Sequence, residues 1–167
     1  TALTYSIPEE EIKSISQKFP NLKVIILLRN PVDRVWSKAK MKLCKHNNKN
    51  FEEISKDEWY DVFHEEFNSC PSYIDLVNRW EKHFSEDRVH VNYHYKLQTD
   101  PVTFLKEICN FISIDMNDFP DHVIQNLDKK IGGGMEKNIP KDFEIYLSQL
   151  YKKSIKEMNI LSNKSNA

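Results

Sequence analysis

Two short apolar runs punctuate an otherwise mixed chain: Val24-Ile25-Ile26-Leu27-Leu28 and Val89-His90-Val91-Asn92-Tyr93. The first is continuously apolar and rich in β-branched residues, which predicts a strand buried on both faces, as in a parallel sheet. The second predicts another strand. Between them the period changes. Ile74, Val77, Trp80 and Phe84 recur at i, i+3, i+6 and i+10, the signature of an amphipathic helix over residues 73–84. A helix between two such strands implies βαβ logic and parallel pairing.

The remaining pattern is helical. Thr1–Tyr5 is short and carries β-formers, consistent with an edge or crossover strand. Ser6, Pro8 and the acidic run Glu9-Glu10-Glu11 predict a helix start, with Ile12 and Ile15 inward and Phe19-Pro20-Asn21 as its end. After the first strand, Asn30 is a good N-cap and Pro31 fits the first helical position, so a helix is expected to run to about Cys44. His46–Asn50 reads as a polar loop, and Phe51–Phe67 as one or two helices anchored by Phe51, Ile54, Trp59, Val62, Phe63 and Phe67. The acidic side of that stretch is either a solvated face or a substrate-facing insertion. Thr99-Asp100-Pro101 caps a helix over 102–112, a turn-rich connection follows, and His122–Leu127 reads as a short helix. Residues 140–161 predict a final helix. The expectation is one α/β domain over 1–161, a parallel sheet flanked by helices, and a disordered tail over 162–167.

Composition narrows the picture modestly. The chain has 167 residues, 40% hydrophobic and 29% charged, with a net charge of −1. That length suffices for one domain with a sizeable core. No basic excess points to nucleic acid, and no apolar run approaches the roughly 20 residues a membrane helix needs. No secretory signal opens the chain. Cys44, Cys70 and Cys109 lack metal-ligand spacing and read as free thiols of a reducing, cytoplasmic compartment, with at most one disulfide pair.

The candidate chemistry lies where the first strand meets its helix. Arg29 ends the strand with a fixed charge, and at helical spacing Asn30, Arg34 and Ser37 share one face. In open α/β sheets ligands sit beyond the carboxyl ends of strands, and a helix N-terminus there suits phosphate. Spacing alone equally allows Arg29 and Arg34 to pair with Asp33 or to cover a helix end. A second candidate is Lys129-Lys130-Ile131-Gly132-Gly133-Gly134-Met135-Glu136-Lys137, which holds all three glycines of the chain. Its backbone N–H groups can form an anion nest, or it is a hinge with solvated lysines. Solvated histidine is the default for His46, His64, His83 and His122, while His94 lies near the carboxyl end of the second strand. Cys44 with His46 is too little for a metal site, and no Ser-His-Asp arrangement or GxxxxGK[ST] loop stands out.

Arg29-Asn30-Pro31-Val32-Asp33-Arg34-Val35-Trp36-Ser37 resembles the 3′-phosphate motif of sulfotransferases that use 3′-phosphoadenosine 5′-phosphosulfate (PAPS). The stretches Tyr73–Phe84, Asp87–Val91, Leu97, Asp100-Pro101 and Lys106–Ile112 resemble the helix, strand, turn and helix that follow it in that family. The likeness covers roughly Tyr5–Ile114. It implies a P-loop-NTPase-like parallel sheet, incomplete at the N-terminus. It also implies that Arg29 and Ser37 grip the 3′-phosphate, with Gly133 and Lys137 of the glycine loop closing over it. The arginine often found in that loop is absent here. No residue in Thr1–Pro20 matches the family's Pro-Lys-x-Gly-Thr-Thr loop for the 5′-phosphosulfate, and neither Tyr5 nor Ser6 offers a base. The chain therefore reads as the C-terminal two-thirds of such a domain, and no catalytic residue is assigned. The implied activity is sulfuryl transfer from PAPS to a hydroxyl or amine, without a metal. The acceptor stays open among carbohydrate, lipid, small alcohol and protein tyrosine. The alternatives are a non-catalytic nucleotide-binding-like scaffold or interaction module and, more remotely, a P-loop nucleoside kinase.

Overall fold

The computed structural model describes residues 7–127, 129 and 137–165. The described elements are mostly helical, with one two-stranded sheet: α1 (Glu9–Lys18), β1 (Val24–Leu28), α2 (Pro31–Lys40), α3 (Lys56–Asn68), α4 (Tyr73–Glu81), β2 (Val89–Tyr93), α5 (Lys96–Thr99), α6 (Pro101–Ile112), α7 (Asp121–Ile124), α8 (Lys141–Leu150) and α9 (Lys152–Ser165). They fall into two compact units. One takes in the chain through Leu28 and again from Val77; the other takes in Arg29–Leu76 and the described residues from 137 onward.

The first unit holds the sheet. β1 and β2 pair in parallel, with Val24 opposite Val89 and Leu28 opposite Tyr93, and the ladder extends to an N–H of His94 that donates to the Leu28 carbonyl at 2.8 Å. Parallel pairing follows from the intervening helix. Burial departs from the expectation for β1. Val24, Ile26 and Leu28 are buried, but Ile25 is 38% exposed, so the strand alternates. A continuously apolar run cannot reveal which face its neighbours leave open. α1 is fastened by its first turn, where Glu9 meets Lys82 at 2.6 Å and His83 at 3.1 Å. On β2, His90 stacks on Phe111, and the fully buried Asn92 donates to Glu107 at 2.8 Å. Burial holds the His90 imidazole below its ordinary range, with the Glu107 carboxylate opposing.

The second unit is built on aromatic packing. Val32, Val35, Trp36 and Ala39 of α2 meet Trp59, Val62 and Phe63 of α3 and Phe143, Leu147 and Tyr151 near α8 in one core. Trp59 is its hub, with ring centroids 4.9 Å from Trp36, 5.2 Å from Phe51 and 6.0 Å from Phe143. Ser55 caps α3 through a capping box with Glu58. The α-helical part of α2 ends at Lys40, and the chain continues as a π-helical turn, Met41–His46. The wider turn brings the consecutive residues Leu43 and Cys44 both inward, at 4% and 6% exposure. The final helical stretch divides at Tyr151, which is fully buried, and α9 runs on to Ser165. The three cysteines are free. Among the described residues no helix is long and apolar enough to cross a membrane.

Candidate functional site

Every described residue of this site belongs to the second unit. β1 gives way to α2 in two residues, and each atom of that hand-over has a task. Pro31 has no N–H to lose at the first helical position. The Asn30 side chain accepts the Val32 N–H at 2.9 Å, and its carbonyl accepts the Arg34 N–H at 2.9 Å. The helix start is thus closed by one residue acting through side chain and backbone. The Arg29 carbonyl precedes the cap and has no place in the helical ladder. It accepts instead from the phenol of Tyr73 at 2.9 Å.

The Arg29 side chain is half-buried, and its Nε is buried with no hydrogen-bond partner among the described residues. A guanidinium donor taken from water without an acceptor is costly, on the order of 1–3 kcal/mol or more. Such an atom calls for an explanation, and an anion is a natural one. Ser37 is half-buried in the second turn of α2, and the helical rise puts it about 9 Å along the axis from Pro31. Arg34, which shares its face by spacing, turns to Cys70, with Nη2 donating to Sγ at 2.8 Å. Burial pushes the Cys70 thiol up, and the Arg34 charge opposes that shift.

Lys137 presents two different groups. Its carbonyl accepts from Trp36 Nε1 at 3.0 Å and from Lys40 Nζ at 3.0 Å, which ties the end of the glycine loop to α2. Its ammonium pairs with Glu52 and sits over the Phe51 ring at 4.3 Å from the centroid. These side chains border a shallow groove of about 500 Å³ with Trp59 and Phe143 at its floor. Gly133 lies outside the described residues. The structure therefore brings Lys137 to α2 through its backbone and directs its charge to Glu52.

Two residues behind Arg29 escape a reading of the sequence. Tyr73 looks like an ordinary core aromatic at a helix start. Glu157 looks like a solvated residue of the last helix, since glutamate is almost never fully buried unless paired. Tyr73 is 0% exposed and Glu157 6% exposed, and they meet at the start of α4. Three of the six histidines are engaged elsewhere: His64 with the Tyr146 hydroxyl at 2.8 Å, His83 with Glu9, and His90 with Phe111. Among the described residues no group of three or more His, Cys, Asp or Glu side chains is gathered as for a metal ion.

The family model of the sulfotransferase domain matches residues 10–160. The structure is similar to the crystal structure of a sulfotransferase from Alicyclobacillus acidocaldarius, with a TM-score of 0.64 and 20% sequence identity over 92% of this chain and 59% of that one. The chain thus spans less than two thirds of that protein's length. No curated protein matches it significantly.

Proposed function

Because the chain belongs to the sulfotransferase domain family, whose model spans residues 10–160, we propose that it forms the nucleotide-gripping part of an enzyme that moves a sulfuryl group from PAPS to a hydroxyl or amine. The observation that carries this reading is the half-buried Arg29 directly after β1, whose Nε has no acceptor among the described residues. The donor set suits a phosphate monoester. It comprises a planar guanidinium, a serine hydroxyl and the positive end of a ten-residue helix. PAPS, when bound, supplies the sulfuryl group on its 5′-phosphate and presents a 3′-phosphate to this end of the site.

Arg29 and Ser37 act on affinity and orientation rather than at the sulfur. Gly133 and Lys137 are assigned to the same phosphate. The role proposed for the glycine, which lies outside the described residues, is to offer its one backbone N–H. The Lys137–Glu52 pair is exposed, 40% and 72% at the two side chains, and such a pair is worth little, so the lysine can exchange Glu52 for phosphate at small cost. The reading carries with it a P-loop-like arrangement of the full sheet, a cytoplasmic setting and an acceptor such as carbohydrate. It is tested by thermal shift on the full-length protein with adenosine 3′,5′-bisphosphate against ATP. The bisphosphate at 100 times its Kd is expected to stabilise by about 2.7 kcal/mol. Equal responses to the two nucleotides would reject the reading.

A further inference from the structure

Arg29 leaves the sheet with its carbonyl outside both the strand ladder and the helix. Something must hold that peptide plane, because it sets the direction of the Arg29 side chain on one side and the start of α2 on the other. The phenol of Tyr73 does so, donating to the Arg29 carbonyl at 2.9 Å from a fully buried ring. Tyr73 is itself held at its other end. It opens α4, where its backbone N–H is one of the free donors of a helix start. The Oε2 of Glu157, on α9, accepts that N–H at 2.9 Å. Ser72 completes the start of the helix, its hydroxyl accepting the Asp75 N–H at 3.1 Å.

Glu157 is 6% exposed, and the ammonium of Lys153, on an exposed side chain, lies 3.8 Å from its carboxylate. A charge that well buried is expensive and is retained only where its hydrogen bonds and neighbouring charge repay it. Here it meets the positive end of α4 and fixes the residue that fixes Arg29. A rigid aromatic strut between a buried carboxylate and the backbone of a ligand-gripping arginine is a device for preorganisation.

We infer that Tyr73 and Glu157 are positioning residues, which hold the Arg29 peptide so that its guanidinium and Ser37 meet the same 3′-phosphate. This rests on the reading of Arg29 as the grip on that phosphate. The test compares Kd values of the full-length protein for adenosine 3′,5′-bisphosphate and adenosine 5′-monophosphate, which differ only in the 3′-phosphate. Tyr73→Phe keeps the ring and removes the hydroxyl. It is expected to lower the wild-type preference for the bisphosphate about 5–10-fold while leaving the monophosphate Kd unchanged. Added to Arg29→Ala, it is expected to lower the preference no further. Glu157→Gln keeps an acceptor for the Tyr73 N–H and should retain more of the preference than Glu157→Ala. A general loss of fold would weaken both nucleotides alike and would overturn the inference. Retention of the full preference in Tyr73→Phe, with Arg29→Ala losing it, would overturn the positioning role and leave the phosphate reading standing. No preference in the wild type, or none lost in Arg29→Ala, would remove the phosphate reading and this inference with it.

Discussion

Asn30 serves the fold and the proposed site through different properties of one side chain, so two substitutions separate them. Its Oδ1 accepts the Val32 N–H at 2.9 Å, and nothing about that bond requires an amide rather than a carboxylate. Asn30→Ala removes the acceptor and leaves a helix-start N–H open, a loss of about 1 kcal/mol within a range of 0.5–2. For a chain of this size that lowers Tm by about 2–4 °C. Asn30→Asp keeps the acceptor and adds a negative charge where the helix dipole favours one, so Tm should stay within about 1 °C of wild type. The same charge lies at the helix end proposed to meet the 3′-phosphate. At about 6 Å, with an effective dielectric constant between that of a protein surface and that of water, it repels a phosphate by about 0.7–3 kcal/mol, roughly 3–100-fold in Kd. The assays are urea denaturation with an unchanged m-value and calorimetric titration with adenosine 3′,5′-bisphosphate. An Asn30→Asp variant as unstable as Asn30→Ala would refute the cap. One that binds the bisphosphate as tightly as wild type would refute an anion at that end of α2.

Trp59→Ala removes the hub of the aromatic core from a residue 2% exposed, and a loss of about 3–5 kcal/mol is expected in urea denaturation. A loss below about 1 kcal/mol would mean the ring cluster does not hold the second unit together. Burial lowers the folded pKa of His90 from an ordinary value of 6.5, so below that pH the unfolded chain binds more protons than the folded one. The contribution of neutral His90 is therefore present above about pH 6.5 and lost as pH falls through the folded value. His90→Gln should flatten that part of the stability profile between about pH 7 and 5, and an unchanged slope would count against the shift.

What was legible in the sequence follows from how local the cause is. Both strands fall where their apolar runs end, at Val24–Leu28 and Val89–Tyr93, and they pair in parallel as the helix between them requires. The hand-over at Asn30 and Pro31 was equally legible, because cap and proline act on their own neighbours. The exposure of Ile25, the π-helical turn after Lys40 and the division of the last helix at Tyr151 depend on what packs against each segment. No hydrophobic period records that. The same limit hid the support behind Arg29. Tyr73 reaches it across 44 residues, and Glu157 reaches Tyr73 across 84. A buried glutamate also contradicts the default for its type. Spacing suggested a shared face for Asn30, Arg34 and Ser37, but Arg34 is drawn to Cys70, a partner that helical period alone could not name.

The central claim is that Arg29 grips a ribose 3′-phosphate, and calorimetric titration of Arg29→Ala in the full-length protein with adenosine 3′,5′-bisphosphate tests it most directly. Losing one or two charge-assisted hydrogen bonds should weaken binding about 10–100-fold. Binding as tight as wild type would contradict it.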